Sequence, residues 1–199
     1  MKSLLLLLVI PVAALATQTE TYGWEGSNTV VGVYGNGHPD LEYSSPVYMG
    51  TQSLEFWESP YSGTPQAFVC WVKYLNEGDT VAASFWVYDT TPGTNPSGRI
   101  WGHWTDDPTD PTSYSGSASG NNTYSAGTGW SQLSWEWTVD ADTTHTGLMV
   151  EARLYSGAEF DTIWIDELVV EAPDGAEIVM PNIPVALQRS TWADIKSAF

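Results

Sequence analysis

Residues 80–88 read Thr-Val-Ala-Ala-Ser-Phe-Trp-Val-Tyr, and this run decides the fold. Side chains alternate between the two faces of a β-strand, so Val81, Ala83, Phe85 and Val87 share one apolar face. Trp86 and Tyr88 then stand on the other face, as rings left over once the core is filled. The pattern repeats outward from this run. Residues 147–155 direct Leu148, Val150, Ala152 and Leu154 inward and leave Glu151, Arg153 and Tyr155 on the opposite face. In residues 98–104, Arg99, Trp101 and His103 share one parity. Further strands are predicted at 29–34, 53–58, 67–74, 131–139 and 162–171, separated by Gly, Pro, Asn and Ser without a long helical period. Such a chain is an all-β sandwich or barrel, and about eight strands suit two packed antiparallel sheets. Turn residues at Asn76-Glu77-Gly78-Asp79 and between Thr91 and Gly98 predict that 67–74, 80–88 and 98–104 form a meander.

The ends of the chain have a different character. Lys2 precedes an apolar stretch from Leu4 to Ala16 that closes on Ala14-Leu15-Ala16, the small-x-small pattern of a signal-peptidase site. The stretch falls short of the roughly 20 residues that span a bilayer, so no transmembrane segment is expected. The reading is a signal peptide at 1–16, one sandwich domain at 17–172, and a linker and tail at 173–199. The secreted or cell-surface compartment follows. In the tail Trp192, Ile195 and Phe199 have helical spacing. Residues 191–199 are similar to short endings of secreted bacterial proteins, which implies sorting or surface attachment; a terminal helix packed on the sandwich is the alternative.

Charge narrows the partners. Six Lys and Arg stand against 24 Asp and Glu, a net charge of −18. Nucleic acid and anionic membrane are excluded as partners, because both are bound mainly through Lys and Arg. Neutral glycans and divalent cations remain. Cys70 is alone in Ala-Phe-Val-Cys-Trp-Val and reads as a buried thiol without a disulfide partner in the chain. Residues 105–129 carry almost no aliphatic side chain, so they read as a long loop whose Tyr114 and Tyr124 either pack it down or contact a ligand.

Flat rings stack on the apolar C–H faces of pyranoses while charged groups orient hydroxyls. Trp86, Tyr88, Trp101 and Tyr155, oriented by Arg99, Glu151 and Arg153, are therefore the candidate saccharide platform. Trp135 and Trp137 share the parity of Leu133 and Val139 and are assigned to the core; Trp57 and Trp71 stay open.

Four segments in order carry a family resemblance: Gly23-Trp24-Glu25-Gly26, Gly50-Thr51-Gln52-Ser53-Leu54, Trp130 ahead of an apolar strand, and Thr162-Ile163-Trp164-Ile165-Asp166-Glu167-Leu168-Val169-Val170. The set resembles the jelly-roll carbohydrate-binding modules of the galactose-binding-like superfamily. Trp24 and Glu167 stand where that family more often has Phe and Asp. The resemblance implies a jelly-roll sandwich, non-catalytic binding of a polysaccharide or glycan, and a structural calcium (Ca2+). The metal would be held by Glu25 and Asp166 with backbone carbonyls near 50–53. A different class, a glycosidase or lyase, requires two carboxylates facing each other across a cleft. Glu136 and Glu151 are the only obvious unassigned pair, and no Gly-x-Ser-x-Gly, Walker or His-Glu-x-x-His motif is present, so an enzyme is not expected. A structural or adhesive surface module that binds no sugar is the second reading.

Overall fold

The computed structural model describes residues 16–27, 29–91, 93–123, 129–141 and 144–181. The expected signal peptide, apart from Ala16, and residues 182–199 of the expected tail lie outside the described residues, as does Tyr124. Twelve strands are present among the described residues: β1 (Thr17–Tyr22), β2 (Gly32–Tyr34), β3 (Gly37–Glu42), β4 (Ser53–Glu58), β5 (Gln66–Lys73), β6 (Thr80–Asp89), β7 (Ser97–Thr105), β8 (Tyr114–Gly120), β9 (Gly129–Thr138), β10 (Gly147–Tyr155), β11 (Thr162–Pro173) and β12 (Glu177–Val179). They form two antiparallel sheets. The back sheet runs β3-β4-β11-β6-β9 with β1 beside the second half of β11, and the front sheet runs β12-β5-β10-β7-β8 with β2 beside the first half of β5.

The core between the sheets is built by the alternation the sequence displays. Val81, Phe85 and Val87 of β6 meet Ile100 of β7 and Leu148, Val150 and Leu154 of β10, all fully buried. Cys70 is a buried free thiol in the same core, and burial pushes its ionisation well above the ordinary cysteine range. Trp24 is also fully buried, with Nε1 donating to the Thr29 carbonyl over 2.6 Å.

The expected meander is not formed. β5 and β7 lie in the front sheet and β6 in the back sheet, so the chain crosses the sandwich twice where two hairpins were expected. The first crossing has a visible cause. Tyr74 takes a left-handed φ of 62°, and Leu75 after it is buried with its N–H on the Thr146 carbonyl, which carries the chain over the sandwich edge. The Asn76–Asp79 turn then docks on the end of β9 through the Gly78 N–H to the Val139 carbonyl. Turn residues report a reversal but not which sheet receives the next strand.

Two further expectations are corrected. The 105–129 segment contains β8, an edge strand on β7, and its lack of aliphatics is compatible with pairing because Gly120 must approach Ile100 closely: a Cβ there would lie 2.4 Å from the Ile100 carbonyl oxygen. The sandwich also continues past residue 172, since β12 pairs with β5 and buries Val179 and Met180. Trp137 is in the core, but Trp135 is 36% exposed despite sharing its parity.

Bulges re-aim side chains at two places. On β11 the register against β6 slips between Asp166 and Val169, so the inward set changes from Ile163 and Ile165 to Leu168, Val170 and Ala172. On β5 a slip between Cys70 and Phe68, opposite Val150 and Glu151, leaves Val69 and Cys70 both in the core and places Phe68 and Trp71 together on the outer face.

Candidate functional site

The outer face of the front sheet gathers five of the seven expected saccharide contacts. Antiparallel pairing of β7 with β10 sets Trp101 opposite Glu151, Arg99 opposite Arg153 and Ser97 opposite Tyr155. Their side chains form one connected cluster. Glu151 is fully buried and accepts from both sides, with His103 Nδ1 at 2.5 Å from Oε1 and Arg153 Nε at 2.6 Å from Oε2. The Arg153 guanidinium lies over the Trp101 ring at 4.6 Å from its centroid, and the Arg99 guanidinium lies 4.3 Å from the Tyr155 centroid and 5.8 Å from that of Trp101. Trp101 Nε1 donates to Ser117 Oγ of β8 over 2.9 Å, which fixes the indole.

Apolar neighbours extend this face. Phe68 meets His103 edge-on at 5.2 Å between centroids, and the exposed Tyr114 lies 5.3 Å from the same ring. Trp71, Met149 and Val179 pack as a separate outer cluster with Phe68, and Trp71 Nε1 donates to Thr105 Oγ1 at 3.0 Å. Phe68 and Met149 carry no sequence signal as members, Trp71 is left open by its sequence, and Tyr114, readable as either packing or ligand contact, borders the cluster. Phe68 and Trp71 are the pair that the β5 slip brings together, and no alternation pattern reveals that slip.

Trp86 and Tyr88 do not belong to this cluster. Because β6 crosses to the back sheet, both stand on the opposite side of the sandwich. There Trp86 is stacked under Tyr48 at 4.2 Å, while Tyr88 sits edge-on between Trp130 and Trp164. The same separation parts Glu136, on β9 of the back sheet, from Glu151, on β10 of the front sheet, so this pair does not face one cleft.

Glu25 and Asp166 are brought to one corner, on either side of the 48–52 loop. Asp166 is buried; Oδ2 accepts the N–H groups of Tyr48 and Met49 at 3.0 Å each, and Oδ1 accepts that of Glu167 at 2.8 Å. Burial pushes its carboxyl up to about 6, against the pull of these three N–H groups, and the neighbouring Glu167 charge adds to the rise. Glu25 is exposed and takes the Thr51 hydroxyl at 2.7 Å and the Thr51 N–H at 2.8 Å, and these bonds hold it below the usual carboxylate range. Gly50 has a φ of 75°, a left-handed conformation that favours glycine, and it packs against the Glu25 carboxylate.

The donor set allows a hard cation without requiring one. Among the described residues no three His, Cys, Asp or Glu groups converge. The Gln52 side-chain amide instead faces the Trp24 and Gly26 carbonyl oxygens at 2.7 and 2.9 Å. With its nitrogen toward them the amide donates to both; with its oxygen toward them it completes a three-oxygen cluster beside Glu25, of the kind calcium takes from backbone and amide groups.

No family model matches this chain, and no curated protein matches it by sequence. Solved structures do match in fold. The tandem CBM22-1–CBM22-2 domain of Paenibacillus barcinonensis Xyn10C superposes with a TM-score of 0.53 at 16% identity, over 82% of this chain and 48% of that one. The CBM22-1–GH10 modules of Clostridium thermocellum Xyn10B, solved with xylohexaose, give 0.53 at 13% identity over 76% of this chain and 28% of that one. An arabinose-bound GH51 α-L-arabinofuranosidase gives 0.50 at 17% identity, covering 75% of this chain and 25% of that one. The chain thus spans about half or less of the length of these structures. Its fold is the jelly-roll β-sandwich of the carbohydrate-binding modules in the first two.

Proposed function

We propose that this chain is an extracellular carbohydrate-binding module that holds a glycan without cleaving it, on the outer face of the front sheet. One observation carries the reading. Trp101, Tyr155, Arg99, Arg153, Glu151 and His103 form a single network of rings, guanidiniums and a buried carboxylate on an open sheet face, bordered by Phe68 and Tyr114. Rigid rings with fixed polar groups bind sugars at low entropic cost. The shared fold with carbohydrate-binding modules supports the same reading. Among the described residues no helix is long and apolar enough to cross a membrane. Migration in native gels containing soluble xylan provides the test, with xylohexaose as the competing short ligand. Retardation of the wild type and loss of most of it in Trp101→Ala is the expected outcome; equal retardation of both proteins removes this face from the site.

A structural calcium at the Glu25–Asp166 corner belongs to the same proposal. Glu25, Asp166, the carbonyls of Trp24 and Gly26 and the Gln52 side-chain oxygen would hold it, and it would stiffen the 48–52 loop. It has no part in contacting the glycan, since this corner adjoins β11 of the back sheet.

A further inference from the structure

Charge is segregated on this molecule. Lys73, Arg99 and Arg153 are the only Lys or Arg among the described residues, and all three project from the outer face of the front sheet. Lys73 is tied to Glu177 at 2.9 Å and Arg153 to Glu151 at 2.6 Å. Arg99 and Arg153 are directly opposed on neighbouring strands, an arrangement that is unfavourable for like charges. Both guanidiniums lie beside one indole, Trp101, at 5.8 Å and 4.6 Å from its centroid. The face therefore presents guanidinium N–H donors beside its rings, and two neighbouring guanidiniums are the match for a carboxylate.

We infer that the glycan recognised here carries isolated uronic-acid groups on an otherwise neutral chain, with a uronate carboxylate received between Arg99 and Arg153. This rests on the proposed front-face site. The rest of the molecule limits how acidic the ligand is. A net charge of −18 repels a polymer charged at every sugar, whereas one carboxylate seated between Arg99 and Arg153 meets, within the Debye length of about 8 Å, two guanidiniums against the single Glu151 carboxylate paired to Arg153. Isolated acid groups satisfy both conditions.

The test compares three ligands in native affinity gels at physiological salt: a xylan with sparse glucuronic-acid side groups, the same polymer after chemical reduction of its carboxyls, and polygalacturonate. The sparse uronoxylan is expected to bind about tenfold more tightly than its reduced form, the size of one charge-assisted hydrogen-bonded contact, and polygalacturonate to bind least. Arg99→Gln should bring the ratio of native to reduced-polymer affinity down to about one, whatever it does to the affinity for either polymer. Equal affinity for the native and reduced polymers overturns the uronate assignment and leaves glycan binding standing. Binding to none of the three overturns both. The comparison of polymers uses the wild-type protein, so it holds even where an Arg99 variant folds poorly.

Discussion

Glu151 shows how one residue can be read for its face and not for its role. Alternation along 147–155 places it outside the core, yet it is fully buried, because His103 and Arg153 close over it from the neighbouring strand and from its own. Both its oxygens are spent inside the protein. It holds Arg153 over Trp101, and in the proposed site the groups around it contact the glycan. Replacing it by Gln leaves a guanidinium and an imidazole beside a neutral amide, and breaking a buried charge pair costs about 3–5 kcal/mol. Arg153 keeps some solvent, so the loss in Glu151→Gln should fall near the lower figure. Urea unfolding measures it; an unchanged midpoint contradicts the positioning role.

Asp166 is the second residue whose environment sets its behaviour. Its carboxyl is raised from 3.8 to about 6 by burial, so the fold favours the protonated form. The stability it contributes is complete below 3.8 and is lost as pH climbs through about 6, by at most about 1.4 kcal/mol per pH unit. In chelator, thermal melts should therefore show wild type losing ground to Asp166→Asn between pH 4 and pH 7. Added calcium should reverse the trend by stabilising the charged carboxylate. A gap between the two proteins that stays constant with pH, with and without calcium, removes both the raised ionisation and the metal.

At the scale of strands, the sequence discloses what lies on one strand and conceals what lies between strands. The eight expected strands are present with bounds shifted by a few residues, because each carries its own alternating apolar face. β1, β3, β8 and β12 lacked that signal: β1 and β3 hold mostly polar residues, β8 is Tyr-Ser-Gly-Ser-Ala-Ser-Gly, and β12 has three residues. These strands are held by backbone pairing and close approach. Gly120 is the clearest instance, its missing Cβ letting β8 reach Ile100. Gly120→Ala should cost about 1–3 kcal/mol by forcing the strands apart. It should also free the Trp101 indole from Ser117, which Trp fluorescence together with thermal unfolding would register; wild-type stability in this variant would contradict the role given to the glycine.

For the whole molecule, the difference between expectation and structure is one of topology. On β7 and β10 parity identified both the outward residues and the right neighbours, because those strands are paired, whereas it misplaced Trp135 of β9. On β6 the same reasoning grouped Trp86 and Tyr88 with a face on the far side of the sandwich. The cause was the crossing at 74–79, whose turn residues resemble those of a hairpin. The composition was likewise informative only in part: −18 excludes polyanions as partners of the whole surface, but the placement of Lys73, Arg99 and Arg153 on one face is a property of the fold alone. Titrating xylohexaose while following backbone amide chemical shifts distinguishes the proposed front-sheet site from the back sheet. Shifts should concentrate on Phe68, Trp101, His103, Glu151 and Arg153; a response centred on Trp86, Tyr88, Trp130 and Trp164 of the back sheet would contradict the account.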